Sequence, residues 1–212
     1  MCSRSQPVFL TSSVVIKNIQ DLCKDGFASM AYFYFDFKDT GKQDQRALLT
    51  SLLIQLSNQS DVYCDILRDL YTTHCQGSVQ PDDDALRHCL KTMLLALGET
   101  PIYIIVDAID ESPNTSGMPT SREEVLQVVE ELVELKLSYL RLCVTSRPEF
   151  DIQSALEPLA SHSISLHDEN GQKEDIANYV SSVVHSDSRM RRWKTEQKDH
   201  VIDKLSDRAD GM

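Results

Sequence analysis

Residues Pro101–Ser112 read PIYIIVDAIDES. Five consecutive apolar residues, Ile102 to Val106, run directly into a segment carrying three carboxylates, Asp107, Asp110 and Glu111. A β-branched and aromatic run of this kind predicts a strand buried on both faces, because a half-exposed strand would alternate apolar with polar side chains. Carboxylates at the carboxyl end of such a strand stand where open α/β sheets bind their ligands. There they hold a metal ion or position a water.

Working outward, LRLCVTSRPE, from Leu140, predicts a second buried strand that ends in the polar turn Thr145-Ser146-Arg147-Pro148. MAYFYFDF, Met30–Phe37, is apolar at both alternating positions and predicts a third, covered on both sides. Helical periodicity separates them. Residues 9–24 read as a helix ending near Gly26, and Asp44 opens an amphipathic stretch with Leu48, Leu49, Leu52, Leu53 and Leu56 on one stripe. Two more helices are expected over about 62–75 and 83–97, the second with Asp82, Asp83 and Asp84 favouring its N-terminal dipole and Gly98 closing it. SREEVLQVVEELVELK predicts a helix capped by Ser121, with Glu124 three residues on. A short helix near 152–158, a strand-like HSISLH and helices at about 172–186 and 195–208 complete the pattern. Strands alternating with helices point to an α/β fold with a parallel sheet.

At 212 residues the chain suffices for one sizeable domain plus a small helical appendage. Its net charge of -12 argues against nucleic acid as a partner, since phosphate neutralisation needs clustered Lys and Arg. A nucleotide needs only a local pocket of amides and one or two cations. No apolar run approaches the roughly 18 residues that span a bilayer, and Val8–Ile16 is broken by polar residues and lacks a cleavage site, so neither membrane nor secretion is expected. The six cysteines contain no CxxC pair. His74-Cys75 and His88-Cys89 are adjacent pairs, whose side chains diverge by roughly 100° on a helix and serve one metal poorly. Reduced, half-buried thiols of a cytoplasmic protein are the expectation.

Two strand ends therefore carry the candidate chemistry: Asp107, Asp110 and Glu111 on one, Thr145, Ser146 and Arg147 on the other. Carboxylates can hold Mg²⁺ through water, and an arginine can meet a terminal phosphate, a combination suited to phosphoryl chemistry on a nucleoside triphosphate. The plainer alternative is that Asp110-Glu111 begin a solvated loop and Arg147 caps the sheet through a salt bridge.

YIIVDAIDE resembles the Walker B motif of the NACHT NTPases, STAND-class P-loop proteins, in the branch found in large fungal signalling proteins and similar to the nephrocystin amino-terminal region. LRLCVTSRPE resembles the sensor 1 strand of that family, AYFYFDFKD its second strand and DQRALLTSLLIQLS the helix that follows; DRADGM resembles the point of continuation into a helical arm. The resemblance implies a three-layer P-loop NTPase-like (ASCE) parallel sheet with flanking helices over residues 1–170, and the start of a helical subdomain over 171–212. It implies that Asp107 holds Mg²⁺ through water, that Asp110 and Glu111 are the catalytic acidic pair with Glu111 orienting the attacking water, and that Arg147, with Thr145 and Ser146, reads the γ-phosphate. It further implies Mg²⁺ with ATP or GTP as cofactor, and other protein domains or self-association as partners.

One element of that site is missing. No GxxxxGK[ST] phosphate loop occurs in the sequence, and Gly41-Lys42 is followed by Gln43 and reads as a turn. QPVFLTSSVVIKNI resembles the family's first helix, with Gln6, Pro7 and Val8 where Gly-Lys-Ser/Thr belongs. Pro7 has no N–H and Val8 no hydroxyl, and the nearest cations, Arg4 and Lys17, lie off the expected loop. The first strand would be absent with the loop, leaving the sensor strand without a neighbour on one side. The expectation is a truncated or degenerate switch module with weak or no hydrolysis. The alternatives are a non-enzymatic scaffold and a metal-dependent phosphohydrolase using Asp107, Asp110 and Glu111 alone.

Overall fold

In the structure, a computed structural model, residues 6–24, 26–96, 98–115, 119–164, 170–187, 190 and 193–208 are described. The strand expected from Ile102–Val106 is β2 (Ile102–Asp107), the centre of a three-stranded parallel sheet with β1 (Ser29–Tyr34) on one side and β3 (Leu140–Val144) on the other. Ser29 pairs with Ile102 and Tyr34 with Asp107; Ile102 in turn pairs with Leu140 and Val106 with Val144. This register brings the carboxyl ends of all three strands to one edge.

The period of two along each strand sorts residues to two faces. Ala31, Phe33, Ile102, Ile104 and Val106 join the larger core, formed with α2 (Gln45–Ser57), α3 (Asp61–Thr73), α4 (Asp83–Ala96), α5 (Ser121–Glu134) and α6 (Phe150–Leu156). The five leucines of the α2 stripe are all buried there, each contributing roughly 1.5–3 kcal/mol of gross apolar burial. On the opposite face, Met30 and Ile105 pack with Ile16 of α1 (Gln6–Lys24). A helix on one face and a helical layer on the other account for the absence of polar alternation in β1 and β2.

The two sheet edges are treated differently. Beside β1, two glutamines of α2 stand in for a neighbouring strand. Gln55 accepts from Tyr32 N (3.1 Å) and donates to Tyr32 O (2.7 Å), while Gln59 accepts from Met30 N (2.9 Å) and donates to Met30 O (2.6 Å). Ladder alternation turns the backbone groups of Leu142 and Val144 away from β2, and no described residue bonds to them. β3 thus has one strand neighbour among the described residues. Its Arg141 and Cys143 are exposed on the face where Tyr103 and Ile105 meet the α1 cluster.

Several boundaries differ from the sequence reading. The α5 cap is Thr120 with Glu123, not Ser121 with Glu124: Thr120 Oγ1 accepts from Glu123 N (3.2 Å) and Glu123 Oε2 from Thr120 N (2.8 Å). Both registers offer a hydroxyl and a glutamate, so the local pattern could not choose. β1 stops at Tyr34, short of Phe37, because the chain folds back through Asp36 N to Lys42 O (3.2 Å). α3 ends at Thr73 because Cys75 and Gln76 take left-handed conformations. Gly41-Lys42 lies in a single 3₁₀ turn, with Lys42 paired to Asp39 at 3.4 Å, as a turn should. In HSISLH, His162–Ile164 are irregular rather than strand, and residues 165–167 lie outside the described residues, as do Arg4 and the final ADGM of DRADGM.

The chain divides into two compact units between Ala160 and Ser161. The second contains α7 (Asn170–Ser186) and α8 (Thr195–Arg208), which pack against each other. Among the described residues no helix is long and apolar enough to cross a membrane.

Candidate functional site at the carboxyl edge of the sheet

The site begins where β2 stops. Asp107, the last residue of the strand, is fully buried, and its Oδ1 accepts a short hydrogen bond from the Thr145 hydroxyl. The same hydroxyl oxygen accepts from Ala108 N at 3.1 Å. Backbone bonds from Thr145 N to Val106 O (3.0 Å) and from Ile109 N to Thr145 O (3.1 Å) lock the ends of β2 and β3 side by side. A strand that simply continued would carry the following carboxylates away from the edge. Ala108 prevents this by adopting a left-handed conformation (φ 59°, ψ 48°), which costs roughly 1–2 kcal/mol for a residue with a Cβ. The chain then makes one 3₁₀ turn, Ile109–Glu111, anchored by the fully buried Ile109.

That turn aims the two remaining carboxylates in different directions. Asp110 points toward β3: its side chain is only 6% exposed, it accepts from Arg147 N (3.0 Å), and it forms an ion pair with Arg147 Nε at 3.3 Å. The Arg147 side chain is 58% exposed. Glu111 points toward β1 and accepts from Phe37 N at 3.2 Å. Burial pushes the Glu111 carboxyl above the usual range, and the negative charges of Asp110 and Asp36 add to the shift, while the Phe37 amide and Arg147 oppose it. Ser146 is half-buried at the turn between Thr145 and Arg147.

All the sequence-predicted residues therefore lie on one edge, but they form two contacts rather than one cluster. Asp107 is tied to Thr145 and Asp110 to Arg147, with Glu111 to one side on the β1 loop. Among the described residues no group of three His, Cys, Asp or Glu side chains converges to hold a metal ion. The five cysteines described are unbridged, and His74 Nδ1 lies 2.8 Å from Leu70 O, on the turn before it. Gln6, Pro7 and Val8 occupy the first turn of α1.

The sequence reading missed Arg122. This buried arginine lies in the first turn of α5, where its Nε donates to Ser112 O (3.1 Å) and its Nη2 to Asp110 O (2.7 Å). Its Nη1 pairs with Glu149, and with Asp151 at 3.1 Å. A cation in the first turn opposes the helix dipole, so Arg122 breaks a local rule that could have singled it out.

A sequence profile of the family described as nephrocystin 3, N-terminal, matches residues 9–147, which span β1, β2, β3 and the whole edge just described. No curated protein and no solved structure gives a significant match.

Proposed function

The chain belongs to the nephrocystin 3 N-terminal family, and from that premise we propose that it is a degenerate NACHT-type nucleotide-switch module, of P-loop NTPase-like fold, with little or no nucleotide binding or hydrolysis by this chain. The observation that carries the reading is the placement of two pairs, Asp107 with Thr145 and Asp110 with Arg147, at the carboxyl ends of two adjacent parallel strands, with Glu111 beside them. This is where such sheets bind nucleotides.

The residues present fit half of a Mg²⁺–nucleotide group. Asp107 would hold Mg²⁺ through water, Glu111 would orient a water, and the exposed Arg147 would face the terminal phosphate, with Thr145 and Ser146 beside it. The Mg²⁺ would neutralise phosphate charge when bound. The phosphate half does not fit. The sequence has no GxxxxGK[ST], and the resemblance of QPVFLTSSVVIKNI to the family's first helix puts Pro7, which lacks an N–H, at the position of that motif's lysine. Without the amide cradle, the lysine and the Mg²⁺ hydroxyl, most of the stabilisation of a transferring phosphoryl group is gone, so no hydrolytic step is assigned. The module would act through contacts with other protein domains or copies of itself, in a cytoplasmic setting suited to its free thiols.

Calorimetric titration with ATP and with GTP, each with Mg²⁺, tests this. The expected result is no micromolar binding and no phosphate release above the blank. Micromolar affinity for either nucleotide would overturn the inactive reading. Metal-dependent phosphatase activity lost on Asp107→Ala would instead establish the phosphohydrolase, a reading disfavoured by the absence of a converging ligand set among the described residues.

A further inference from the structure

Glu111 and Asp110 reach their positions from one short turn, which the buried Ile109 and the bond from Ile109 N to Thr145 O fix at its start, while its later residues, Asp110 to Ser112, are held from outside as well. Its first residue, Ala108, is in an unfavourable conformation, and its two carboxylates, together with Asp36, repel one another. An external brace offsets these costs. Arg122 is the one charged side chain among the described residues that is both buried and bonded to the carbonyls of this turn.

The chemistry of the brace is specific to a guanidinium. Two donors are spent on the turn itself, at Asp110 O and Ser112 O, and a third group faces Glu149 and Asp151, just beyond the Thr145–Pro148 turn. A lysine carries its donors on a single nitrogen and could not reach the two carbonyls and the two carboxylates at once, as the three separate guanidinium nitrogens do. The partners are themselves fixed: Asp151 Oδ2 accepts from Asn114 Nδ2 (2.9 Å), Thr120 Oγ1 donates to Asn114 Oδ1 (3.1 Å), and the Ser112 hydroxyl donates to Gln43 O (2.7 Å). Arg122 N also donates to Pro113 O at 3.1 Å. One residue thus cross-links the turn after β2 to the segment after β3, the two halves of the edge.

The geometry points to Arg122 as a positioning residue for the carboxylate edge: by holding Asp110 O and Ser112 O it sets where the Asp110 and Glu111 side chains project. Its significance for nucleotide rests on the function proposed above; the positioning itself is testable without any ligand. Two backbone amides report it directly, Phe37 N, which donates to Glu111, and Arg147 N, which donates to Asp110.

The experiment is amide hydrogen exchange with ¹H–¹⁵N shifts on the full chain and on Arg122→Gln. Arg87→Gln serves as control, since Arg87 is also largely buried but pairs with Glu131 away from the edge. Arg122→Gln should speed exchange at Phe37 and Arg147 about tenfold beyond the change at core amides such as Ile104, the loss of one stabilised local contact. Arg87→Gln should move these two amides no more than the core. Arg122→Lys guards against a variant that fails to fold: it should retain most of the stability yet still release the two amides. If the two amides follow the core in both Arg122 variants, Arg122 is an ordinary buried ion pair and the inference is wrong. Nucleotide titration of the unsubstituted chain judges the proposed function alone, so the two readings fail separately.

Discussion

Replacing Gln55 and Gln59 together by leucine should uncover the β1 edge. Each glutamine gives one donor and one acceptor to a single β1 residue, Tyr32 or Met30, at 2.6–3.1 Å. A partly buried hydrogen bond contributes about 0.5–1.5 kcal/mol net. Four such bonds therefore give about 2–6 kcal/mol, and partial hydration of the freed groups at an exposed edge places the expected loss near the lower end, about 2–3 kcal/mol. Leucine suits the comparison because it keeps helix propensity and apolar bulk while removing only the amide. Urea unfolding should show the lost stability with an unchanged slope, and exchange at the Met30 and Tyr32 amides should accelerate beyond the global change. Self-association should also rise, since an unblocked edge strand pairs with other strands. A double variant that loses under about 0.5 kcal/mol, with Met30 and Tyr32 still protected, would refute the view that these side chains substitute for a strand.

Two further outcomes follow from the site. Thr145→Val keeps the side-chain shape but removes the hydroxyl between buried Asp107 and Ala108 N; with one charge-assisted and one neutral bond lost, urea unfolding should show about 2–4 kcal/mol of destabilisation, and under about 1 kcal/mol would mean the hydroxyl does not hold the strand ends together. Glu111 binds its proton more tightly folded than unfolded, so its contribution to stability is fully present below the unfolded carboxyl range and is lost as pH rises through the raised folded value. Glu111→Gln, which can still accept from Phe37 N, should therefore raise the melting temperature at pH 7 and leave it unchanged near pH 3; an equal effect at both would exclude the charge as the cause.

The two sheet edges differ in what meets their outward backbone groups. Glutamine amides occupy one, and among the described residues nothing meets the outward backbone groups of Leu142 and Val144 on the other. A strand is buried on both faces only when both faces are covered. The alternating exposure of β3, at Arg141 and Cys143, shows that little among the described residues covers that face of it.

Much of the edge could be read from residue order alone. Ile102–Val106 has no polar residue to turn outward, so it had to be a strand covered on both faces, and Asp107 had to fall at its end. The leucine stripe of α2, its Asp44 cap and the strand ending at Thr145 were equally local signals. What could not be read was the partner of anything polar. Arg122 looks like a surface residue of an amphipathic helix, yet it bonds Glu149 and Asp151, 27 and 29 residues away. Gln55 looks like an ordinary polar position, yet it completes Tyr32, 23 residues back. The α5 cap reads from the sequence as Ser121 and Glu124, one residue late, for a related reason: two hydroxyls and two glutamates offer the same local bonds. Apolar pattern is a property of neighbouring residues and survives in the sequence. Polar pairing, and with it the direction in which Asp110 and Glu111 point, exists only once the strands are side by side, and the tertiary structure alone decided it.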